Sequence, residues 1–181
     1  MPKPPSETRQ RIQDTARELF AQKGVQRTSL QDIADRLGVT KPALYYHFRS
    51  REELVRSILV PMLDEGEAFV AGHEKRRGSK RAAPRELVEG FFDFHYRHRT
   101  DLMLIVSELS TLAELGLIDS MLAWRERLSR LVFGARPTLE QSTRSVIAFG
   151  GLQDCCLQFP DTPYDELRRA TVAGAMAALD G

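Results

Sequence analysis

The sequence predicts an all-α fold of about nine helices, with a three-helix N-terminal unit over residues 1–50 and a helical body over 51–181. Three observations carry this expectation. Apolar residues recur at spacings of three and four almost throughout, the period of one helical face. Start and stop signals bracket those stripes, with hydroxyl residues or Pro before them and Gly or Pro after them. No run alternates apolar and polar residues between hairpin turns, and no internal repeat is present.

Length and composition narrow the class. A chain of 181 residues buries a sizeable core. The cysteines, Cys155 and Cys156, are neighbours. They form no framework of spaced pairs, which fits a reducing, cytoplasmic setting. The first eleven residues are polar and basic, unlike a secretory leader. No apolar run reaches the ~18 residues needed to span a membrane. The net charge is only +1, but it is unevenly placed. Residues 1–51 carry ten Lys and Arg against five Asp and Glu, and residues 52–181 carry sixteen against twenty. A basic end on a mildly acidic body suits a protein that presents one face to a polyanion.

The chain opens with a Pro-rich segment, residues 1–6. A first helix is expected over 7–23, where Ile12, Ala16, Leu19 and Phe20 form one stripe and Gly24 ends it. A second helix follows. Thr28 or Ser29 caps its start, since a hydroxyl oxygen there accepts from a free first-turn amide. Leu30, Ile33, Ala34 and Leu37 form its stripe, and Gly38 stops it. Thr40 caps a third helix, with Pro42 in its first turn, where the missing N–H costs nothing. Leu44 and Phe48 face inward from it. Ser50 and Glu53 form a capping box for the next helix. Lys41, Ala43, Tyr45, Tyr46 and His47 cannot all be core. A first turn exposing Lys41, Ala43 and Tyr45 suits a DNA major groove, where base edges present a distinct pattern of donors, acceptors and methyl groups.

Taken together, these residues resemble the DNA-binding domain of TetR-family transcriptional regulators. The matching positions are Ile33-Ala34, Leu37-Gly38-Val39, Leu44-Tyr45-Tyr46-His47-Phe48 and Glu53-Leu54, extending back to Ile12, Ala16, Leu19-Phe20 and Gly24. The resemblance covers roughly the first third of the chain; the rest matches in pattern and length. It implies a DNA-binding set of Thr28, Ser29, Thr40, Lys41, Pro42, Ala43, Tyr45, Tyr46, His47 and Arg51. Lys41 and Tyr45 are expected to read bases, while Thr28, Tyr46, His47 and Arg51 hold phosphates. It also implies a homodimer on a palindromic operator in double-stranded DNA.

The fourth, connecting helix spans 51–72 and carries Leu54, Val55, Ile58, Leu59 and Met62. Pro61 inside it predicts a kink or a break, and Gly66 and Gly72 weaken it further. The run KRRGSKR at 75–81 reads as a solvated basic loop. Five more helices follow. PRELVEGFFDFHYRHR presents Leu87, Val88, Phe91, Phe92 and Phe94, and residues 101–115 are apolar nearly all round. Residues 117–134 come next, ending at the turn GARP. Residues 138–159 and 163–179 are split by the PDTP at 160–163.

By the same resemblance, the body encloses an unknown, largely apolar small-molecule effector. Candidate contacts are Phe91, Phe92, His95, Met103, Ser107, Glu108, Thr111, Met121, Trp124, Phe149 and Gln153. Glu108 interrupts a buried-looking helix. It reads either as a salt-bridge partner of a neighbouring Arg or as a carboxylate facing a cationic or polar effector. The last two helices carry small residues on one side, and a helical Gly costs up to ~1 kcal/mol relative to Ala. Ile147, Ala148, Gly151, Cys155, Ala170, Ala173, Gly174 and Ala177 therefore form the candidate dimer face, with packing inside one subunit as the alternative.

No phosphate-cradling loop, GxSxG or HExxH occurs, so an enzyme is not expected, and no cofactor is implied. The predicted function is a repressor that leaves its operator when effector binds. The alternatives are a DNA-binding regulator or architectural protein without an effector, and a metal or thiol sensor using His95, His98, Cys155 or Cys156.

Overall fold

The computed structural model describes the backbone of residues 5–76, 83–107 and 117–180, and the side chains of these except at 5–6, 104–107, 117–118 and 120–121. All regular structure among the described residues is helical. The helices are α1 (Pro5–Lys23), α2 (Leu30–Leu37), α3 (Lys41–His47), α4 (Arg51–Arg76), α5 (Pro84–Arg97), α6 (Arg99–Ser107), α7 (Leu117–Phe133), α8 (Leu139–Gln158) and α9 (Tyr164–Asp180). Of the basic run at 75–81, residues 75 and 76 form the end of α4 and the rest lies outside the described residues.

The first three helices form as their punctuation dictates. Ile12, Ala16, Leu19 and Phe20 of α1 are buried with Ile33 and Ala34 of α2 and with Leu44 and Phe48 from α3. Ser29 caps α2. Its hydroxyl oxygen accepts from the Asp32 N–H at 3.1 Å, while its own N–H donates to the Asp32 carboxylate at 2.7 Å. Gly38 stops α2 with φ of +67°, a backbone that L side chains rarely adopt, and the Val39 N–H closes the turn on the Ala34 carbonyl. Thr40 caps α3 by accepting from the Ala43 N–H at 3.3 Å.

The connecting helix is longer than expected, and of the two outcomes foreseen at Pro61 the break does not occur. It runs unbroken past Pro61 and on to Arg76, beyond the predicted end at 72. Pro61 has no N–H for the carbonyl four residues back, that of Ser57. Gln13 of α1 supplies the donor instead: its Nε2 reaches the Ser57 carbonyl at 3.1 Å and Ser57 Oγ at 2.9 Å. Gly66 also serves packing. A Cβ there would stand 2.5 Å from the Trp124 ring of α7.

Further polar ties join the N-terminal helices to the body. Arg17 Nε of α1 donates to Asp101 of α6 at 2.6 Å. Within the body, His98 pairs with Glu65 of α4 at 2.8 Å, and Arg97 bonds the same carboxylate. In the body α7 packs between α4 and α8, and α5 lies against both α8 and α9. Arg127 of α7 clamps α4 through Glu67 at 2.6 Å and Glu74 at 2.7 Å. Arg168 of α9 holds Glu89 and Asp93 of α5 at 3.1 and 3.2 Å.

Candidate nucleic-acid interface

Helix α3 is anchored from one side only. Leu44 and Phe48 are completely buried, while Lys41, Pro42, Ala43, Tyr45 and Tyr46 remain exposed, Tyr46 to 82 %. Lys41 Nζ lies 5.7 Å above the Tyr45 ring, so the cation and the phenol form one patch at the start of the helix. Tyr46 and His47 meet edge to face, with centroids 5.3 Å apart. Arg9 of α1 fixes the far end of α3. Its guanidinium lies 4.2 Å over the Phe48 ring and donates to the His47 carbonyl at 3.0 Å. Ser29 and Thr40 sit exposed at the two helix starts, each with its hydroxyl oxygen already capping the helix behind it. Hydrogen bonds from Ser29 and the nearby Lys23 hold the Asp32 carboxyl down at about 2.

Two expected phosphate contacts are corrected by this geometry. Thr28 is completely buried, and its hydroxyl donates to the Gly24 carbonyl at 2.8 Å, so it faces the core of the head. Arg51 is spent within the chain. It donates to the Gln26 carbonyl at 3.1 Å and to Gln26 Oε1 at 3.0 Å, and so pins the loop between α1 and α2 to the start of α4. Sequence reasoning missed Arg9 as the brace of α3 and Gln13 as the partner of Ser57. A proline four residues after a helical carbonyl was the available signal for Gln13.

In the body, Phe91, His95, Trp124 and Gln153 converge on one cavity with Met62, Phe94, Leu102, Arg125 and Leu128. Its volume is about 20 Å³, room for roughly one water. His95 Nδ1 donates to the Phe91 carbonyl at 2.9 Å. Burial, helped by the Arg125 charge, lowers the imidazole pKa to about 4, so the ring is neutral. Arg125 reaches Gln153 Oε1 at 3.4 Å. Phe149 packs edge to face on Phe91.

Two candidates lie elsewhere. Phe92 turns away from the cavity to stack on Tyr96 and meet Tyr164 of α9, because one residue along a helix rotates a side chain by ~100°. Met103 of α6 is 52 % exposed and does not line that cavity. The side chains of Ser107 and Met121, and all of Glu108 and Thr111, fall outside the described residues.

Most of the small-residue face lies where the spacing put it. Ile147, Ala148, Gly151, Cys155, Ala170 and Gly174 line an open groove of about 290 Å³ on α8 and α9, while Ala173 and Ala177 are exposed beside it. A Cβ at Gly150, Gly151 or Gly174 would meet nothing within 4 Å, so packing within one subunit does not account for these glycines. Among the described residues, no three of His, Cys, Asp and Glu gather as metal ligands. Burial pushes the Cys156 thiol up to about 12, which leaves it little thiolate. Among the described residues, no helix is long and apolar enough to cross a membrane.

A short helix anchored by two core residues, exposing a cation and two tyrosines on a compact helical head, defines a helix-turn-helix protein. The family profile for bacterial regulatory proteins of the tetR family matches residues 12–58. Residues 12–58 of this chain thus resemble the N-terminal domain of that family. Over 91 residues the chain is 36 % identical to the transcriptional activator FasR of Mycolicibacterium smegmatis, covering 50 % of this chain and 42 % of FasR. Over 123 residues it is 28 % identical to the repressor KstR2 of the same species, covering 65 % and 58 % respectively. The chain thus spans about half the length of these curated relatives. Two solved structures share the fold. A regulator from Aquifex aeolicus has a TM-score of 0.74 at 23 % identity, covering 94 % of this chain and 98 % of its own. A TetR-like regulator from Rhodococcus sp. RHA1 has 0.75 at 21 %, covering 99 % and 100 %. These relatives are named as regulators, and none as an enzyme.

Proposed function

We propose that this chain is a sequence-specific DNA-binding transcriptional regulator, built as a 1–50 head on a 51–181 body. It acts as a homodimer that represses from a palindromic operator. The observation that carries the reading is the one-sided anchoring of α3. Leu44 and Phe48 are sealed in the core, while Lys41, Ala43, Tyr45 and Tyr46 stand free on a basic head. A helix start so exposed fits the major groove. In this reading Lys41 and Tyr45 reach base edges, and Tyr46, His47 and the capped start of α2 at Ser29 lie along the phosphates.

The test is selection of bound fragments from random duplex DNA at low salt, followed by affinity measurement on the recovered site. Tyr45→Ala is expected to change the preferred base at one position of each half-site. Tyr46→Phe removes a phosphate donor and is expected to weaken all sequences alike. A chain that retains no duplex overturns the proposal, and so does a Tyr45→Ala variant with unaltered preference.

Control by an effector enclosed in the body requires a second conformation, favoured by the ligand, in which the core has opened. The cavity of about 20 Å³ favours another reading, in which the middle of the body is a filled structural core. Titration of the DNA complex against a small-molecule panel separates the two. Release by a compound whose effect disappears in Gln153→Leu supports central binding.

A further inference from the structure

A crevice of about 420 Å³ lies between head and body, walled by the end of α1, the start of α6 and the end of α8. That is within the ordinary range for small-molecule pockets. Its apolar lining includes Phe20, Met103 and Leu157, and Lys23, Arg27 and Arg99 stand around them. No carboxylate is among the residues that line it. The three cations are unequally free. Lys23 is already paired with Asp32 at 3.1 Å. Arg27 donates its Nε to the Lys23 carbonyl at 2.8 Å, and among the described residues its terminal nitrogens meet no acceptor. Arg99 is held in place by the Tyr96 carbonyl at 2.7 Å and by stacking 4.3 Å over the Tyr96 ring. That leaves a positioned guanidinium with unused donors. Met103 keeps half its surface in water next to these charges, although an unbranched thioether is easily buried elsewhere.

We propose that this crevice binds an amphipathic monoanion, an alkyl carboxylate of medium length, with its head group at Arg27 and Arg99 and its chain along Phe20, Met103 and Leu157. A guanidinium pairs a carboxylate through two parallel N–H donors, and the apolar wall removes the alkyl chain from water. The site is distinct from the cavity around His95, with which it shares no lining residue. Occupancy reaches the DNA-reading head directly, because the crevice is walled on one side by α1 and on another by α6. The Arg17–Asp101 pair already fastens those two helices together. This consequence rests on the DNA-binding reading; the binding itself does not.

The probe is decanoate, titrated below its micelle concentration into the full chain by calorimetry, with decan-1-ol and decyltrimethylammonium as equal-chain controls. Decanoate is expected to bind saturably at one site per chain, at least tenfold more tightly than either control. Met103→Glu and Arg27→Glu each introduce a like charge and are expected to weaken decanoate at least tenfold. Met103→Glu changes an exposed side chain, so thermal unfolding followed by circular dichroism should match the parent. Gln153→Leu, in the central cavity, should leave the affinity unaltered. The proposal is overturned by absence of saturable binding, by equal affinity for the cationic control, or by loss in Gln153→Leu with none in Met103→Glu. It is also overturned if Met103→Glu alters the sedimentation of the chain but not decanoate affinity, since the crevice then holds a second copy. DNA retention is measured separately. A chain that binds decanoate but no duplex fails the regulatory reading and keeps the site.

Discussion

Single side chains divide between those that fold the head and those left over for a partner, and chemical type does not decide which. Arg51 and Arg9 look alike in sequence to any phosphate-binding arginine, yet both spend their donors on backbone carbonyls of the head. Tyr46 makes no comparable commitment and projects outward. His95 shows how burial fixes a side chain's chemistry. Desolvation, with a smaller contribution from Arg125, lowers its pKa to about 4 from an ordinary 6.5, against the opposing bond to the Phe91 carbonyl. Between those two values the unfolded chain takes up a proton that the folded chain refuses. The contribution to stability is therefore complete above about pH 6.5 and is lost as pH falls toward 4. On the order of 1–2 kcal/mol should vanish between pH 7 and 5 through this residue. His95→Asn keeps a donor for the Phe91 carbonyl and cannot titrate. Its urea-unfolding midpoint should fall less between those pH values than the parent's, and an equal fall in both would refute the assignment.

At the scale of helices, the informative contact is the one between α1 and α4. Pro61 leaves the Ser57 carbonyl without its helical donor, and Gln13 fills the gap at 3.1 Å. Gln13→Ala should therefore cost about 1–3 kcal/mol, the usual penalty for an unsatisfied, partly buried acceptor. In a Pro61→Ala background the helix supplies its own N–H, and the same substitution should cost much less. A double-mutant cycle by denaturant unfolding measures the difference, and additive losses would sink the idea. The same contact explains what was legible in the sequence. α2 and α3 could be placed closely because Ser29, Gly38 and Thr40 act on residues within four positions of themselves. Of the candidate contacts that the resemblance suggested, Phe91, His95, Trp124 and Gln153 line one cavity. Continuity through Pro61 was not legible, because its remedy lies 44 residues away from Ser57. Nor was the use of Gly66, whose missing side chain accommodates Trp124 from a different helix. Thr28 was misplaced for a related reason. Two adjacent hydroxyl residues offered two possible caps, and only the tertiary fold turned one of them inward.

For the whole molecule, the question is what covers α8 and α9. Their shared face exposes Ile147 to 64 % and Phe159 to 52 %, around a groove floored by small residues. Gly151 and Gly174 leave empty space where a Cβ would stand, so their helix-weakening effect is not offset inside one subunit. A twofold partner would offset it, because small residues let helix backbones approach closely and an isologous face covers itself. Two reading heads joined in this way would engage two half-sites together, which a single weak head cannot do. Ile147→Glu places two like charges near the expected axis without disturbing the core, since that side chain is already largely in water. Sedimentation should show the parent as a dimer and the variant as a monomer, with far-ultraviolet circular dichroism unchanged. Affinity for a palindromic duplex should fall by a factor of ten or more, while affinity for an isolated half-site stays within about twofold. A variant that remains dimeric, or a parent that is monomeric at micromolar concentration, would show that the groove on α8 and α9 is covered in some other way.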